Sequence, residues 1–145
     1  MTVDEIIASA KRAHRAHWQA SSDESTGDKA ASQVTRTWQD EVARNCPKRF
    51  IAEYPVAGDL RERIDLVDVE SRVAFELKAS PNNTHFELYR DIFKIWLHNE
   101  RNELTIQELV FITPEAGAAR VSRNFGAAVV GLMAKHNLRI RIAGI

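Results

Sequence analysis

Apolar residues recur at helical spacing in the first third of the chain and predict two helices there. The first is expected at about 3–19 and the second at about 28–45. Thr2 precedes Glu5 by three residues, which is typical of a capping box at the start of a helix. Pro47 predicts the end of the second helix, because a proline disfavours helical backbone in the residue before it.

A polar, Ser-rich stretch at 21–27 separates the two helices and has the composition of a linker. A chain of 145 residues is expected to form one domain. The pattern therefore predicts an N-terminal helical arm and linker over 1–27, followed by the core over 28–145.

Beyond the second helix the pattern changes to short apolar or alternating runs, which predict β-strands interrupted by helices. The resulting order, α-α-β-β-β-α-β-α-β, predicts an α/β (α+β) protein whose mixed sheet carries helices on both faces, because its β-α-β portion needs crossover connections. Strands are expected at 49–56, 61–69, 72–79, 108–113 and 138–142, and helices at 85–102 and 116–136.

The helix at 85–102 has the most strongly marked start and apolar face. Thr84 and Glu87 form a second capping-box pattern. The aromatic-rich face is expected to pack on the sheet, and it comprises Phe86, Tyr89, Ile92, Phe93 and Trp96.

Two carboxylates lie on the predicted hairpin formed by 61–69 and 72–79. With a turn at Glu70-Ser71, residues whose numbers add to 141 face each other, and Asp65 and Glu76 are such a pair. Lys78 lies two positions beyond Glu76 and so points to the same side of the sheet. Opposed like charges are unfavourable in a sheet unless a cation lies between them. The pattern therefore predicts a metal site, although a surface ion-pair cluster is the alternative.

Composition narrows the class of protein only modestly. Twenty basic and 20 acidic side chains give a formal net charge of zero, which neither favours nor excludes nucleic acid as a partner. Cys46 is the single cysteine, so an internal disulfide and a cysteine-based zinc cluster are excluded. No apolar run approaches the ~20 residues that span a bilayer, and no signal-peptide pattern opens the chain. We expect no membrane association and a cytoplasmic location.

Asp65, a spacer of ten residues, and the string Glu76-Leu77-Lys78, followed by a helix and a strand, resemble the PD-(D/E)XK nuclease superfamily. The resemblance covers roughly 28–145 and implies a restriction-endonuclease-like core. Ile64 stands where the motif's proline would precede the aspartate. The resemblance implies an Mg²⁺-dependent deoxyribonuclease in which Asp65, Glu76 and Lys78 are catalytic.

The chemistry of phosphodiester hydrolysis fits these residue types. Asp65, Glu76 and the backbone carbonyl of Leu77 offer hard oxygen ligands suited to Mg²⁺, with Mn²⁺ as a substitute. Lys78 would orient the attacking water or neutralise the transition state. The resemblance also implies an acidic residue on the helix before the sheet, for which Glu41 is the candidate; a solvated helix-face glutamate is the equal alternative.

Two basic surfaces are candidates for contact with DNA. One lies on the helix after the motif, where pairing with Glu87 and Asp91 as a solvated face is the alternative. The other lies on the N-terminal helix, where His14 and His17 are interpreted as surface or arm residues. The first surface comprises Arg90, Lys94, His98 and Arg101, and the second Lys11, Arg12 and Arg15.

The chain has little beyond a minimal nuclease core, which favours a structure-selective or loosely specific DNA endonuclease, or a catalytic subunit guided by a partner. A homodimer is expected, because two sites would address two strands. The alternatives are a non-catalytic nucleic-acid-binding or assembly module that keeps the fold, and a nuclease directed at RNA or acting as a toxin.

Overall fold

The computed structural model describes residues 1–19, 27–124 and 126–145. The predicted linker at 21–27 therefore lies outside the described residues, except for Gly27, where the second helix begins. The helices are α1 (Val3–His17), α2 (Gly27–Asn45), α3 (Thr84–Arg101), α4 (Glu115–Asn124) and α5 (Gly126–Lys135), and the strands are β1 (Phe50–Pro55), β2 (Arg63–Asp68), β3 (Val73–Leu77), β4 (Glu108–Thr113) and β5 (Arg139–Gly144).

The five strands form one mixed sheet in the order β1-β2-β3-β4-β5. The pairs β1–β2 and β2–β3 are antiparallel, whereas β3–β4 and β4–β5 are parallel and are connected through helices. Leu66 lies opposite Phe75 and Val67 opposite Ala74, so the predicted hairpin register, in which paired numbers add to 141, is confirmed. The predicted mixed sheet is confirmed as well.

Helices cover both faces of the sheet and create two apolar cores. On one face, Ile6 and Ala10 of α1 and Trp38 of α2 pack on Phe75 and its neighbours. On the other, α3, α4 and α5 pack on a second cluster that includes Phe111. Because α1 is buried in the first core, the N-terminal helix is part of the folded body rather than a separate arm. Within the described residues, no helix is both long enough and apolar enough to cross a bilayer.

The predicted core face of α3 is wrong. Phe86 and Phe93 are 65% and 63% exposed, and Tyr89 and Trp96 are also largely outside the core. Of the predicted set, Ile92 alone is buried. The helix carries a second apolar stripe at positions 88, 92 and 95, and this stripe packs on the sheet. Asp91 and Lys94 lie on the same inner side, where charged groups of β3 meet them.

The region predicted as a helix at 116–136 is helical on both sides of position 125, which lies outside the described residues, as α4 and α5. The start of α3 differs from the prediction. The capping box predicted for α3 does not form: Asn83, in left-handed backbone conformation, precedes the helix, and its side chain makes no capping bond. The Thr84 hydroxyl is buried and reaches the carbonyl of Gly117 at 3.5 Å, while Glu87 turns toward Lys78.

Gly117 lets the start of α4 approach α3 closely, and its replacement by alanine should destabilise the protein. A Cβ at this position would meet Thr113 Oγ1 at 2.6 Å and Thr84 Cγ2 at 2.8 Å. We expect Gly117→Ala to lower the free energy of unfolding by about 1–3 kcal/mol, the usual cost of overpacking. Urea denaturation measures this.

Gly131 supplies the matched control, because a Cβ there has no atom within 4 Å. Gly131→Ala in α5 should leave stability unchanged or raise it by about 0.4–1 kcal/mol. Equal effects of the two substitutions would contradict the close approach at Gly117.

Candidate active site

Asp65, Glu76 and Lys78 lie where the β2–β3 ladder ends. The paired positions extend to Leu66 and Phe75. One step further, the N–H of Leu77 donates to Oδ2 of Asp65 at 2.9 Å, so a carboxylate takes the bond that a backbone carbonyl would otherwise accept. Asp65 is thereby fixed beside Glu76, on the face of the sheet that α3 covers.

Lys78 is surrounded by three carboxylates. Its Nζ lies 3.6 Å from Glu76 Oε2, 3.4 Å from Glu87 Oε2 and 3.5 Å from Asp91 Oδ2. Two of these partners come from α3, which crosses this part of the sheet. The sequence places Lys78 and Glu76 on one face, but the contribution of α3 appears only in the structure.

Lys94 of α3 fills the deeper part of the same site. Its Nζ donates to Oε1 of Glu76, lies 2.9 Å from Asp91 Oδ1 and donates to the carbonyl of Arg63 at 3.0 Å. The side chain is 7% exposed. We refer below to the charge cluster, which consists of Asp65, Glu76, Lys78, Glu87, Asp91 and Lys94.

The charge cluster holds more negative than positive charge. Four carboxylates face two ammonium groups, so the fully ionised cluster would carry an excess of two negative charges. Glu76 and Asp91 are fully buried. Burial and, next, the charges of Asp65 and Asp91 raise the pKa of Glu76 well above its usual value, and burial also raises the pKa of Asp91.

The pKa values of the two lysines are raised as well, which for a lysine favours the charged form. Burial alone would lower the pKa of Lys78, but the surrounding carboxylates, Asp91 and Glu76 foremost, outweigh it and raise that pKa. The same balance, led by Glu76, raises the pKa of Lys94. Both ammonium groups are therefore protonated at neutral pH.

Three carboxylate oxygens in the cluster make no hydrogen bond. They are Oε2 of Glu76 and both oxygens of Asp91, and all three are shielded from solvent. Lys78 and Lys94 approach them at 2.9–3.6 Å. Buried polar atoms are normally satisfied, and a proton or a further cation at these oxygens would add to the ion pairs that the two lysines already supply.

The carboxylate oxygens of the cluster suit a Mg²⁺ site of the type that uses few protein ligands. Among the described residues, no group of three or more His, Cys, Asp or Glu side chains has the geometry of a metal site. Mg²⁺ in phosphate chemistry is commonly bound through one or two carboxylates, waters and the substrate's own phosphate. Asp65 and Oε2 of Glu76, an oxygen that lies 3.6 Å from Lys78 Nζ, are the carboxylate ligands that could meet that smaller requirement, and Leu77 adjoins both through its backbone.

A pocket of about 230 Å³ opens beside Lys78. Its walls come from α2, from the end of β3 and from Glu87 at the start of α3. Lys78 is 20% exposed and Glu87 36%, whereas Glu76 is closed to solvent. A ligand would therefore reach the cluster from the side of Lys78.

Gln39 and Glu53 support Asp65 from behind, and sequence reasoning did not assign this role. The Gln39 side-chain amide donates to the carbonyl of Asp65 at 2.7 Å and to Oε1 of Glu53 at 2.8 Å. Glu53 has left-handed backbone (φ 51°), which is uncommon for a residue with a Cβ. Both acceptors of the Gln39 amide are distant from it in sequence and are brought to it by the fold. No local sequence pattern therefore indicates the role of Gln39.

Glu41 does not join the cluster. Its carboxylate pairs with Arg12 of α1, on the helical layer that covers the opposite face of the sheet. The α2 residue that reaches β2 is Gln39, two positions earlier. The direction in which α2 crosses the sheet decides this, and helical spacing alone does not.

The basic stripe predicted on α3 is not an exposed track. Lys94 and His98 are buried, and the two ring nitrogens of His98 lie 3.2 Å from the Val56 carbonyl and 2.9 Å from the Leu104 carbonyl. Arg90 pairs with Glu62 and Arg101 with Asp59, each at 3.1 Å. The cause is the orientation of α3, which turns the middle of this stripe toward the sheet.

The basic residues of α1 are divided between surface and interior. Arg12, which pairs with Glu41, and Arg15 are exposed, and Lys11 is half-buried. His14, interpreted from the sequence as a surface residue, is buried, with Nε2 2.9 Å from the carbonyl of Ala79. His17 lies 3.1 Å from the Thr37 hydroxyl. His14 thus connects α1 to the segment just after Lys78.

Removal of the Lys94 ammonium should leave Glu76 as an uncompensated buried charge. We expect Lys94→Met to lower the free energy of unfolding by about 3–5 kcal/mol at neutral pH, as breaking a buried pair does. The cost should shrink at acidic pH, because protonation of Glu76 removes the unpaired charge. Urea denaturation at two pH values measures both effects, and Lys135→Met, at the exposed end of α5, is the control.

The raised pKa of Glu76 predicts the pH dependence of the metal-free protein. A carboxyl group whose folded-state pKa is raised contributes stability that is present below its unfolded pKa and is lost as pH rises through the folded pKa. We therefore expect stability in EDTA to fall more steeply for wild type than for Glu76→Gln as the pH rises above 4.5, the ordinary pKa of a glutamate. Denaturant unfolding of both proteins across this range measures the difference, and parallel curves would contradict the assignment.

Comparisons with known proteins do not assign the chain to a family. No family model matches the chain, and neither a curated protein nor a solved structure is significantly similar to it. The geometry of the charge cluster is therefore the basis on which function is inferred.

Proposed function

We propose that this protein is a divalent-metal-dependent nuclease that hydrolyses phosphodiester bonds in DNA, with the charge cluster as its active site. One observation carries the proposal. Asp65, Glu76 and Lys78 meet at the end of a hairpin, beside an open pocket, and buried carboxylate oxygens there have no hydrogen bond. The antiparallel β1-β2-β3 unit followed by parallel β4 is in keeping with a restriction-endonuclease-like core.

Asp65, Glu76 and the Leu77 carbonyl would hold Mg²⁺, or Mn²⁺ in its place. The ion would supply two things: a lower pKa for a bound water, and neutralisation of charge on the phosphate. The excess of two negative charges in the ionised cluster equals the charge of one such ion. Binding would thus favour the ionised form of Glu76, which burial otherwise disfavours.

Lys78 would act as a cation and hydrogen-bond donor rather than as a base. Its raised pKa keeps the ammonium protonated, so it cannot accept a proton from water at neutral pH. Its position beside Glu76 suits donation to the attacking water or to a phosphate oxygen that gains charge in the transition state. Glu87 and Asp91 hold this ammonium in place and are positioning residues.

DNA is the proposed substrate, and the surface argues for loose specificity or for guidance by a partner subunit. Arg12, Arg90 and Arg101, predicted to contact phosphates, are each engaged in ion pairs with acidic side chains. Sequence-specific readers need elements that reach base edges in a groove, and the described elements are all used to build the sheet and its two layers. A homodimer would bring two such sites to one duplex.

A non-catalytic module is the second candidate, and one observation favours it. Lys94 already neutralises Glu76 from within the protein, and Glu76 has no exposure of its own. In that reading the cluster is a buried ionic network that orients α3 on the sheet. The two readings differ in whether the cluster binds a divalent ion.

Cleavage of supercoiled DNA, linear DNA and RNA with Mg²⁺, Mn²⁺ or EDTA distinguishes them. We expect metal-dependent cutting that Asp65→Asn, Glu76→Gln and Lys78→Met each reduce by at least about a hundredfold, because each removes charge stabilisation at the reacting phosphate. Asp59→Asn, at an exposed ion pair with Arg101, is the matched control and should cut as wild type does.

Calorimetric titration with Mn²⁺ completes the test. Cutting that persists in the three variants would remove the cluster as the active site. Absence of both cutting and Mn²⁺ binding in wild type would overturn the nuclease proposal in favour of the non-catalytic module.

A further inference from the structure

The outer face of α3 carries four large aromatic side chains. Phe86 and Phe93 are 65% and 63% exposed, Tyr89 is 45% exposed and Trp96 38%. They follow each other at intervals of three, four and three residues, which places them along one side of the helix. We refer to these four residues as the aromatic stripe.

The stripe is large for an exposed surface of a small protein. If a whole aromatic side chain has about 200 Å² of surface, the exposed fractions amount to about 400 Å². Contiguous exposed apolar patches of about 300–600 Å² are the largest that a typical monomer carries and are often functional. The stripe therefore lies within the size range of exposed patches that are often functional.

The spacing of the stripe is self-complementary. Phe86 and Trp96 lie equally far from position 91 along the helix, and so do Tyr89 and Phe93. If two copies of α3 pack antiparallel about a two-fold axis at position 91, Phe86 of one copy meets Trp96 of the other, and Tyr89 meets Phe93. An isologous interface requires this kind of self-matching surface, and a partner of unrelated sequence does not.

Charge and area agree with a second copy as the occupant. Arg90, the charged residue nearest the axis on this surface, is neutralised by Glu62 of its own chain, so two copies would not repel each other there. A standard interface buries about 800 Å² on each partner, and the stripe supplies about half of that. The flanks of α3 and the exposed Leu132 of α5 are available for the remainder.

We propose that the aromatic stripe of α3 forms a two-fold symmetric, antiparallel interface between two copies of this chain. The inference rests on the outer surface of α3 and does not depend on the proposed nuclease activity. Because the charge cluster uses the inner side of the same helix, the interface would leave the pocket beside Lys78 free in both copies.

Sedimentation velocity of the full chain over a hundredfold range of concentration tests the interface. We expect a monomer–dimer equilibrium for wild type and a dissociation constant at least about tenfold higher for Phe93→Glu, which places two carboxylates close to the axis. Phe93 is exposed in the monomer, so an unchanged midpoint of urea unfolding would show that the variant still folds.

Ile51→Glu is the matched control, because Ile51 is a 40% exposed apolar residue on β1, away from α3. It should dimerise as wild type does. A wild type that stays monomeric at the highest concentration would overturn the proposal. So would a Phe93→Glu variant that dimerises normally, or an Ile51→Glu variant that dissociates equally.

Disulfide trapping tests the antiparallel register in a Cys46→Ser background. A mixture of Phe86→Cys and Trp96→Cys chains, distinguished by a tag, should give the crossed disulfide dimer on mild oxidation, whereas neither variant should crosslink alone. Crosslinking of Phe86→Cys with itself would indicate parallel helices and overturn the proposed register, as would a dimer by sedimentation with no crossed disulfide.

Discussion

The buried carboxylate of Glu76, within a cluster that holds more carboxylate than ammonium groups, is the constraint on which much of the structure depends. Glu76 is fully enclosed, and a buried charge is costly unless it is paired. The pairing comes from Lys94, which belongs to α3 rather than to the sheet. The need to neutralise Glu76, together with the burial of Leu88, Ile92 and Ile95, therefore favours this side of α3 against the sheet.

This constraint explains why the sequence predicts the sheet better than the helix. The hairpin register follows from a two-residue turn and alternation, both of which are local, and the structure confirms it at Leu66 and Phe75. The inward face of α3 is a choice between two apolar stripes. Its larger stripe, with Phe86 and Phe93, is the obvious core by hydrophobicity, yet it faces outward. Ion pairs with a strand distant in sequence favour the other side, and no window along the helix contains that information.

The residues of the candidate site likewise include some that the sequence predicts and some that it does not. Asp65, Glu76 and Lys78 could be predicted to share one face because strand periodicity requires it. Asp91 left a weaker signal, since it is followed three positions later by Lys94, a spacing at which opposite charges pair on a helix. Gln39 left none, because its two acceptors come from different strands. Residues whose role is set by tertiary crossing cannot be assigned from spacing, and the placement of Glu41 away from the cluster is the same effect.

In α3, charged side chains face the sheet and aromatic side chains face outward, and this arrangement connects the two proposals physically. A helix that places ionic groups against the sheet has fewer positions left for apolar packing, and here Leu88, Ile92 and Ile95 supply it. The aromatic stripe lies outside that core, and within the chain Phe86 contacts the ring of His85 and Trp96 the ring of His136. Aromatic surface that stays exposed raises the tendency to associate, so its retention has a reason beyond the packing of the monomer. Burial between two copies provides one, and it would also stiffen the helix that positions Asp91 and Lys94. On this argument, the outer surface of α3 and the charge cluster on its inner side are coupled through a single rigid element.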